Sequence, residues 1–442
     1  MGAFEITDSV AFRLCLLLAS AAAIAFEVVW WQDTPVLIFS ACALGLFILV
    51  ISYRLDYLHP TVPYLVPWLT VLIFSTIRIS KYSRPLELST ASFLLATILT
   101  WLLATSPSRV AWSAAPGEAG GKEASGERIS LRAIRGLIVG FGILYVFALV
   151  NVAYAGYVPL LSLVTTGDSG YLTFGIPSVY GAFLAYANAM GCLAFYVYLR
   201  TRLPLCLLLV ASVLVIHVLF VTRQNIVTLM VEIFVIKSLV GVRFSRKAIL
   251  ASVATGLIAF SALGTLRSGD IKQIIGVTPD YSWLPSSIVW VYAYSYFNVI
   301  NLENMKELSG APFYDGSMWD SVFPTVLRPD TNHGSYTELA AAGVNSYIYP
   351  IYLDVGALGV LLATAVFGLL TLYVYRRATR SRRFVDVATY GCLYSCALLS
   401  FFVDFWLYLP VIFQVVFFRF FHTALLKERV RPTQTSSARL RG

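Results

Sequence analysis

Charge is what this sequence has least of. Only 12% of its 442 residues are Asp, Glu, Lys or Arg, against 58% hydrophobic, and the mean hydropathy is +0.77. No soluble globular class combines those values. Histidine is scarcer still, with four copies, and the six cysteines all fall in apolar segments. Cys392 and Cys396 stand four apart, with no histidine or second cysteine pair beside them. They read, with Cys15, Cys42, Cys192 and Cys206, as small buried hydrophobes and not as metal ligands. P-loop, GxGxxG, HExxH, CxxC and GxSxG motifs are missing from any fitting context, and no loop carries a DxD pair. Nucleotide-dependent chemistry on the cytoplasmic side is therefore poorly supported. The paired halves with broken helices that mark transporters are not visible either. Nor are the short alternating strands of a β-barrel.

What the chain does have is a succession of apolar runs long enough to cross a bilayer core. They predict an all-α, polytopic membrane helix bundle of about twelve spans, forming one domain over residues 1–442. The spans fall at 10–31, 35–53, 61–78, 88–106, 133–155, 179–199, 203–221, 225–242, 248–266, 351–375, 385–406 and 408–426. The first is followed by no small-residue cleavage site, and Gln32-Asp33-Thr34-Pro35 reads as a turn, so a retained helix is expected. Twelve spans put both termini on one side. The basic tail KERVRPTQTSSARLRG marks that side as cytoplasmic, as do RTR (200–202), VRFSRK (242–247) and RRATRSRR (376–383). A flexible cytoplasmic linker is expected over 106–132.

Eight of the 32 Lys and Arg break the rule and fall outside: Arg78, Lys81, Arg84, Arg223, Arg267, Lys272, Lys306 and Arg328. Arg78, Arg223 and Arg267 sit where spans emerge. Each alone is explained by snorkelling to lipid headgroups. Together with Arg328 they point to a shared anion site, for which the planar guanidinium fork is suited. The outer segments are also the long ones: 156–178, expected to lie along the interface, and 267–350, a large periplasmic loop. Within that loop WLPSSIVWVYAYSYFNVINLEN (283–304) is nearly long enough to span. Counting it as a span would separate the termini, so it is expected as a periplasmic or re-entrant helix packed on the bundle. Its Trp and Tyr residues suit the membrane interface.

The scarce polar chemistry gathers near the end of that loop. LRPDTNHGSYTE (327–338) holds Arg328, Asp330, His333 and Glu338. His333 is the only histidine in an outer loop, where it can act as a general base. His217 falls within a span, and His59 and His422 at cytoplasmic span ends. Asp354 lies against an apolar run. An acid there is usually functional or paired, and it could orient an arginine or cap a re-entrant helix. Pro350 and Gly356 allow a bent helix at that point. Mid-span charge is limited to Glu27, Glu232 and Asp404, which counts against a transport path.

Four stretches resemble the Wzy-type oligosaccharide repeat-unit polymerases, relatives of the O-antigen polymerases and ligases. They are GYVPLL (156–161), TRQNIVTLMVEIF (222–234), LRSGD (266–270) and NSYIYPIYLDVGALGVLLATAVFGLL (345–370). Related ligases carry a histidine where this chain has Asn345. The resemblance implies a GT-C-like glycosyltransferase of the bacterial cytoplasmic membrane, with short interfacial helices in the large loop and both termini inside. It implies transfer of a growing chain from undecaprenyl pyrophosphate to an incoming lipid-linked unit, with no metal and no cofactor. Arg223, Arg267 and Arg328 are then expected to hold the pyrophosphate by electrostatic preorganisation. His333, or a carboxylate such as Asp330, Glu338 or Asp354, is expected to take the hydroxyl proton. Arg78, Lys81, Arg84, Asn345 and Tyr336 complete the substrate-binding set. Membrane lipids and a chain-length regulator are the implied partners, with no nucleic acid. Ligation to lipid A core, or flipping of the lipid-linked unit, are the alternative activities.

Overall fold

The computed structural model describes residues 57–106, 129–171, 173–241, 269–307, 311–324 and 346–426, with 256, 258, 261, 262, 264, 265, 327 and 338 as separate positions. The expected spans at 10–31 and 35–53, and most of that at 248–266, lie outside the described residues. Helices occupy the other nine. In chain order the eleven described helices of eight or more residues are α1 (Thr61–Thr76), α2 (Leu88–Thr105), α3 (Leu131–Ala155), α4 (Pro159–Thr166), α5 (Val179–Thr201), α6 (Pro204–Leu219), α7 (Arg223–Val240), α8 (Ser286–Lys306), α9 (Ile348–Ser381), α10 (Phe384–Leu399) and α11 (Leu409–Phe421), of which α4 and α8 lie between the expected spans. Among the described residues the fold is all-helical, with one isolated bridge between Ser80 and Val277. Five runs are long and apolar enough to cross a membrane: Leu88–Thr105, Leu131–Thr166, Val179–Thr201, Ile348–Ser381 and Leu409–Leu426. Helix α7 has the length, but its Arg223, Glu232 and Lys237 set it apart.

Local chemistry sets the helix ends. Ser130 caps α3 by accepting the Ala133 N–H at 3.2 Å, which ends the expected linker two residues early. Pro159, Pro204 and Pro410 stand in first turns, where a missing N–H costs nothing. The basic residues Arg200 and Arg380 occupy the last turns of α5 and α9, where they complement the negative helix end. We call the end at which α5, α7 and α11 begin the upper end.

Two features of the core depart from simple up-and-down spans. Helix α9 breaks at Gly356, whose φ of 73° and ψ of −171° belong to a region open almost only to glycine. Residues before the break fold back, so that the Tyr347 hydroxyl lies 2.7 Å from Thr364 Oγ1. On a straight helix those residues would be about 25 Å apart. Tyr347 also meets the Tyr64 hydroxyl at 2.8 Å, and Tyr64 stacks on Trp101 at 4.2 Å. The second departure is the expected span 385–406. Helix α10 stops at Leu399, and 400–408 enters the core as irregular chain. Ser400 accepts from Trp68 Nε1 at 3.0 Å, and Trp406 stacks on Phe367 at 4.8 Å. Aromatic pairs of this kind add about 0.5–1.5 kcal/mol each beyond their burial.

Candidate functional site

Helix α8 organises the upper end. Fourteen of its 21 residues are buried, including Trp290, Tyr292 and Tyr296, so it packs as a core helix and its aromatics are not an interface belt. At 100° per residue, Trp290 and Tyr294 share one face while Tyr292, Tyr296 and Glu303 share the opposite one. The two faces hold different cations.

Arg223 sits on the first face. It is the first residue of α7, 7% exposed, at the tip of the α6–α7 hairpin. Its guanidinium lies over the Trp290 ring, 5.5 Å from the centroid, with Nη2 3.5 Å from the Tyr294 hydroxyl. The approach needs Gly264: a Cβ there would stand 2.7 Å from Arg223 Nη1 and 2.8 Å from the Trp290 ring. A second set of bonds holds the hairpin from below. His217 is fully buried. Its Nδ1 lies 3.1 Å from Thr222 Oγ1 and its Nε2 2.8 Å from Asn188 Oδ1. Asn188 Nδ2 in turn donates to Asn225 Oδ1 at 3.4 Å, which ties the first turn of α7 to α5.

Arg84 belongs to the opposite face. Its Nε is 3.5 Å from the buried Glu303 carboxylate, and its Nη2 donates to Asn304 Oδ1 at 2.5 Å. Glu303 also accepts the Glu87 N–H at 2.6 Å. Burial pushes the Glu303 carboxyl up, while the Glu87 amide and the Arg84 and Lys306 charges pull it down. Lys306 donates to Ser89 and Thr90, each at 2.8 Å. Arg84 is thus part of a bracket between the 77–87 segment and α8, and the body of α8 separates it from Arg223. Arg78 and Lys81 are exposed on the same segment, and the Lys81 chain packs beside Gly276.

The polar stretch that ends the large loop is attached to α8 at its described positions. The Glu338 N–H donates to Asn301 Oδ1 at 2.8 Å, and Asn304 Nδ2 donates to Glu338 Oε2 at 3.1 Å. The Ser346 N–H reaches Asn298 Oδ1 at 3.4 Å. Arg267, Arg328, Asp330, His333, Tyr336 and Asn345 lie outside the described residues. Asp354 is buried, and its carboxylate accepts the Gly316 N–H at 3.0 Å. With Phe313 N–H to Leu353 O at 2.7 Å and Tyr314 N–H to Asp354 O at 3.1 Å, it staples 313–316 onto the folded-back turn of α9. These bonds tie the Asp354 carboxylate to the 313–316 segment.

Arg84, Arg223, Glu338 and Asp354 were legible as charges out of place, whereas the buried Glu303 was not singled out. His217, Asn188 and Asn225 were missed, although polar residues inside apolar helices are the available signal. Among the described residues no cluster of three or more His, Cys, Asp or Glu side chains could hold a metal ion. No protein-family model, curated protein or solved structure matches the chain.

Proposed function

We propose that this chain is a membrane glycosyltransferase of GT-C-like architecture, with about twelve spans and both termini cytoplasmic. It polymerises undecaprenyl-pyrophosphate-linked oligosaccharide repeat units on the outer face of a bacterial cytoplasmic membrane. The observation that carries the reading is Arg223: an arginine only 7% exposed, at a helix-hairpin tip, with its guanidinium against Trp290 and Tyr294. A cation on a rigid element needs little reorganisation when charge develops on a leaving group.

In the proposed step the bond between the anomeric carbon of the growing chain and the pyrophosphate oxygen breaks. An acceptor hydroxyl forms the new bond to that carbon and its proton passes to a base. The lipid pyrophosphate leaves with the electron pair and is stabilised by Arg223, with Arg267 and Arg328 as further ligands. The engagement of the Asp354 carboxylate by Gly316 supports His333 as the base over Asp354.

The test is polymer formation from lipid-linked repeat units by the purified protein. Loss of one fixed donor to a developing anion lowers the rate about 100-fold. Arg223→Ala is expected to do so at unchanged expression, and Arg223→Lys to recover little, because a point charge lacks the fork. A full-length polymer ladder from Arg223→Ala would remove the pyrophosphate site from the α7 tip. Wild-type protein that leaves the units unjoined is not a polymerase.

A further inference from the structure

At the start of α7, on a different face of the helix from Arg223, a crevice enters the bundle between α5 and the first turns of α7 and α11. Its lining is uncharged and mixed: the carboxamides of Asn188, Gln224, Asn225 and Gln414 and the hydroxyls of Thr228 and Tyr408 are set among the apolar surfaces of Ala185, Phe405, Pro410 and Val411. Polar groups inside a membrane bundle are costly and are retained where they find partners or line a ligand path. Here some partners are internal. Asn188 is held by His217, and Gln414 donates to the Glu232 carboxylate at 2.7 Å. The Gln224 carboxamide and the Asn225 amide nitrogen, both half-buried, make no hydrogen bond to the described residues, so their donors are available to the crevice. They belong to the two residues that follow Arg223 in the chain.

The chemistry of the lining selects among ligands. A carboxamide offers donors and an acceptor side by side, as a hydroxyl does. A phosphate only accepts, and would leave the amide oxygens facing like charge. A lipid tail would leave both donors and acceptors unsatisfied, at about 1–3 kcal/mol per group. The crevice is half open, and the space inside it for water-sized groups is about 20 Å³, which takes one or two such groups and not a whole ring. A hydroxyl or hydroxymethyl arm fits it, with the ring that bears it at the mouth, near Phe405 and Tyr408.

We propose that this crevice is a subsite for the hydroxyl groups of a sugar next to the pyrophosphate, read by Gln224 and Asn225. It rests on the reading of Arg223 as the phosphate contact. The lipid-linked unit is then gripped at two adjoining points on one helix turn, its charge by Arg223 and its sugar by the two carboxamides.

Binding measured on the full chain in detergent tests both points separately. The probes are undecaprenyl pyrophosphate and the lipid-linked repeat units extracted from the producing cell. Wild type is expected to bind the glycosylated lipid more tightly than the bare one. Gln224→Leu removes a side chain with no described internal partner, so unfolding temperature is expected to hold. Its affinity for the glycosylated lipid is expected to fall about tenfold, the effect of one well-made hydrogen bond. Its affinity for the bare lipid is expected to stay unchanged. Asn225→Ala, combined with it, deepens the loss on the glycosylated lipid alone. Equal binding of the glycosylated lipid by wild type and the double variant overturns the subsite, as does a wild type that does not prefer the glycosylated lipid. Arg223→Ala with undiminished affinity for the bare lipid overturns the phosphate contact instead. In that case the glycosylated-to-bare ratio in Gln224→Leu still decides the sugar subsite.

Discussion

Single residues here take their meaning from the atoms around them more than from their type. Arg84 and Arg223 are both arginines at the upper end, yet Arg84 is bracketed by Glu303 and Asn304, while Arg223 rests on the aromatic residues Trp290 and Tyr294. An ion pair with one exposed partner contributes modestly, about 0–1 kcal/mol, so the bracket acts mainly as a positioner of the 77–87 segment. Asp354 makes the same point. Its buried carboxylate accepts from Gly316, and a hydrogen bond to a charged group is worth about 1.5–3 kcal/mol. Asp354→Ala is expected to lower thermal stability by that order. Asp354→Asn keeps an acceptor oxygen and is expected to retain most of the stability and most of the polymer ladder. A stable Asp354→Asn protein without activity would return the carboxylate to the chemistry.

Whole elements are bent and buried for identifiable reasons. Gly356 bends α9 at a torsion a side chain tolerates poorly, while a Cβ there would meet Pro312 only at an ordinary 3.6 Å. The cost of Gly356→Ala is therefore torsional, about 1–3 kcal/mol. It is expected as a lowered unfolding temperature, with weaker protection of the amides of 346–355 from hydrogen exchange. A variant as stable and as protected as wild type would show that the bend does not depend on the glycine. Helix α8 reads in the sequence as an aromatic interface helix because Trp and Tyr are ambiguous between belt and core. What decides is burial against other elements: Trp290, Tyr292 and Tyr296 are buried, and Tyr292 lies 5.8 Å from Phe74 on α1.

Across the molecule, the three helices that surround the crevice are joined lower down by one carboxylate. Glu232 on α7 accepts from Gln414 on α11 at 2.7 Å and from Cys192 on α5 at 3.0 Å. The four described cysteines are free and buried, and Cys192 works here as a weak donor more than as filler. Gln414→Leu removes the stronger donor from a buried carboxylate and is expected to cost about 1–3 kcal/mol. Scanning calorimetry in detergent measures it. Glu232→Gln in the same background removes the charge and is expected to recover part of the loss. No loss in Gln414→Leu would mean that helix packing alone fixes the three helices.

The sequence by itself determined that the molecule is helical and rich in membrane-length apolar runs, and where most of the described helices fall. Hydropathy over a span-length window is a local sum, and caps such as Ser130 and breakers such as Gly356 act within a turn. Charges out of place picked out Arg223, Arg84 and Asp354 for the same reason: the anomaly is visible one residue at a time. Only the tertiary structure decided which of them meet. Arg84 and Arg223 stand apart because α8 passes between them, and nothing in their spacing carries that. The union of His217, Asn188 and Asn225 below the hairpin, and the entry of 400–408 into the core, depend on contacts between helices distant in the chain. Those contacts are settled by packing and hydrogen-bond satisfaction summed over the whole bundle.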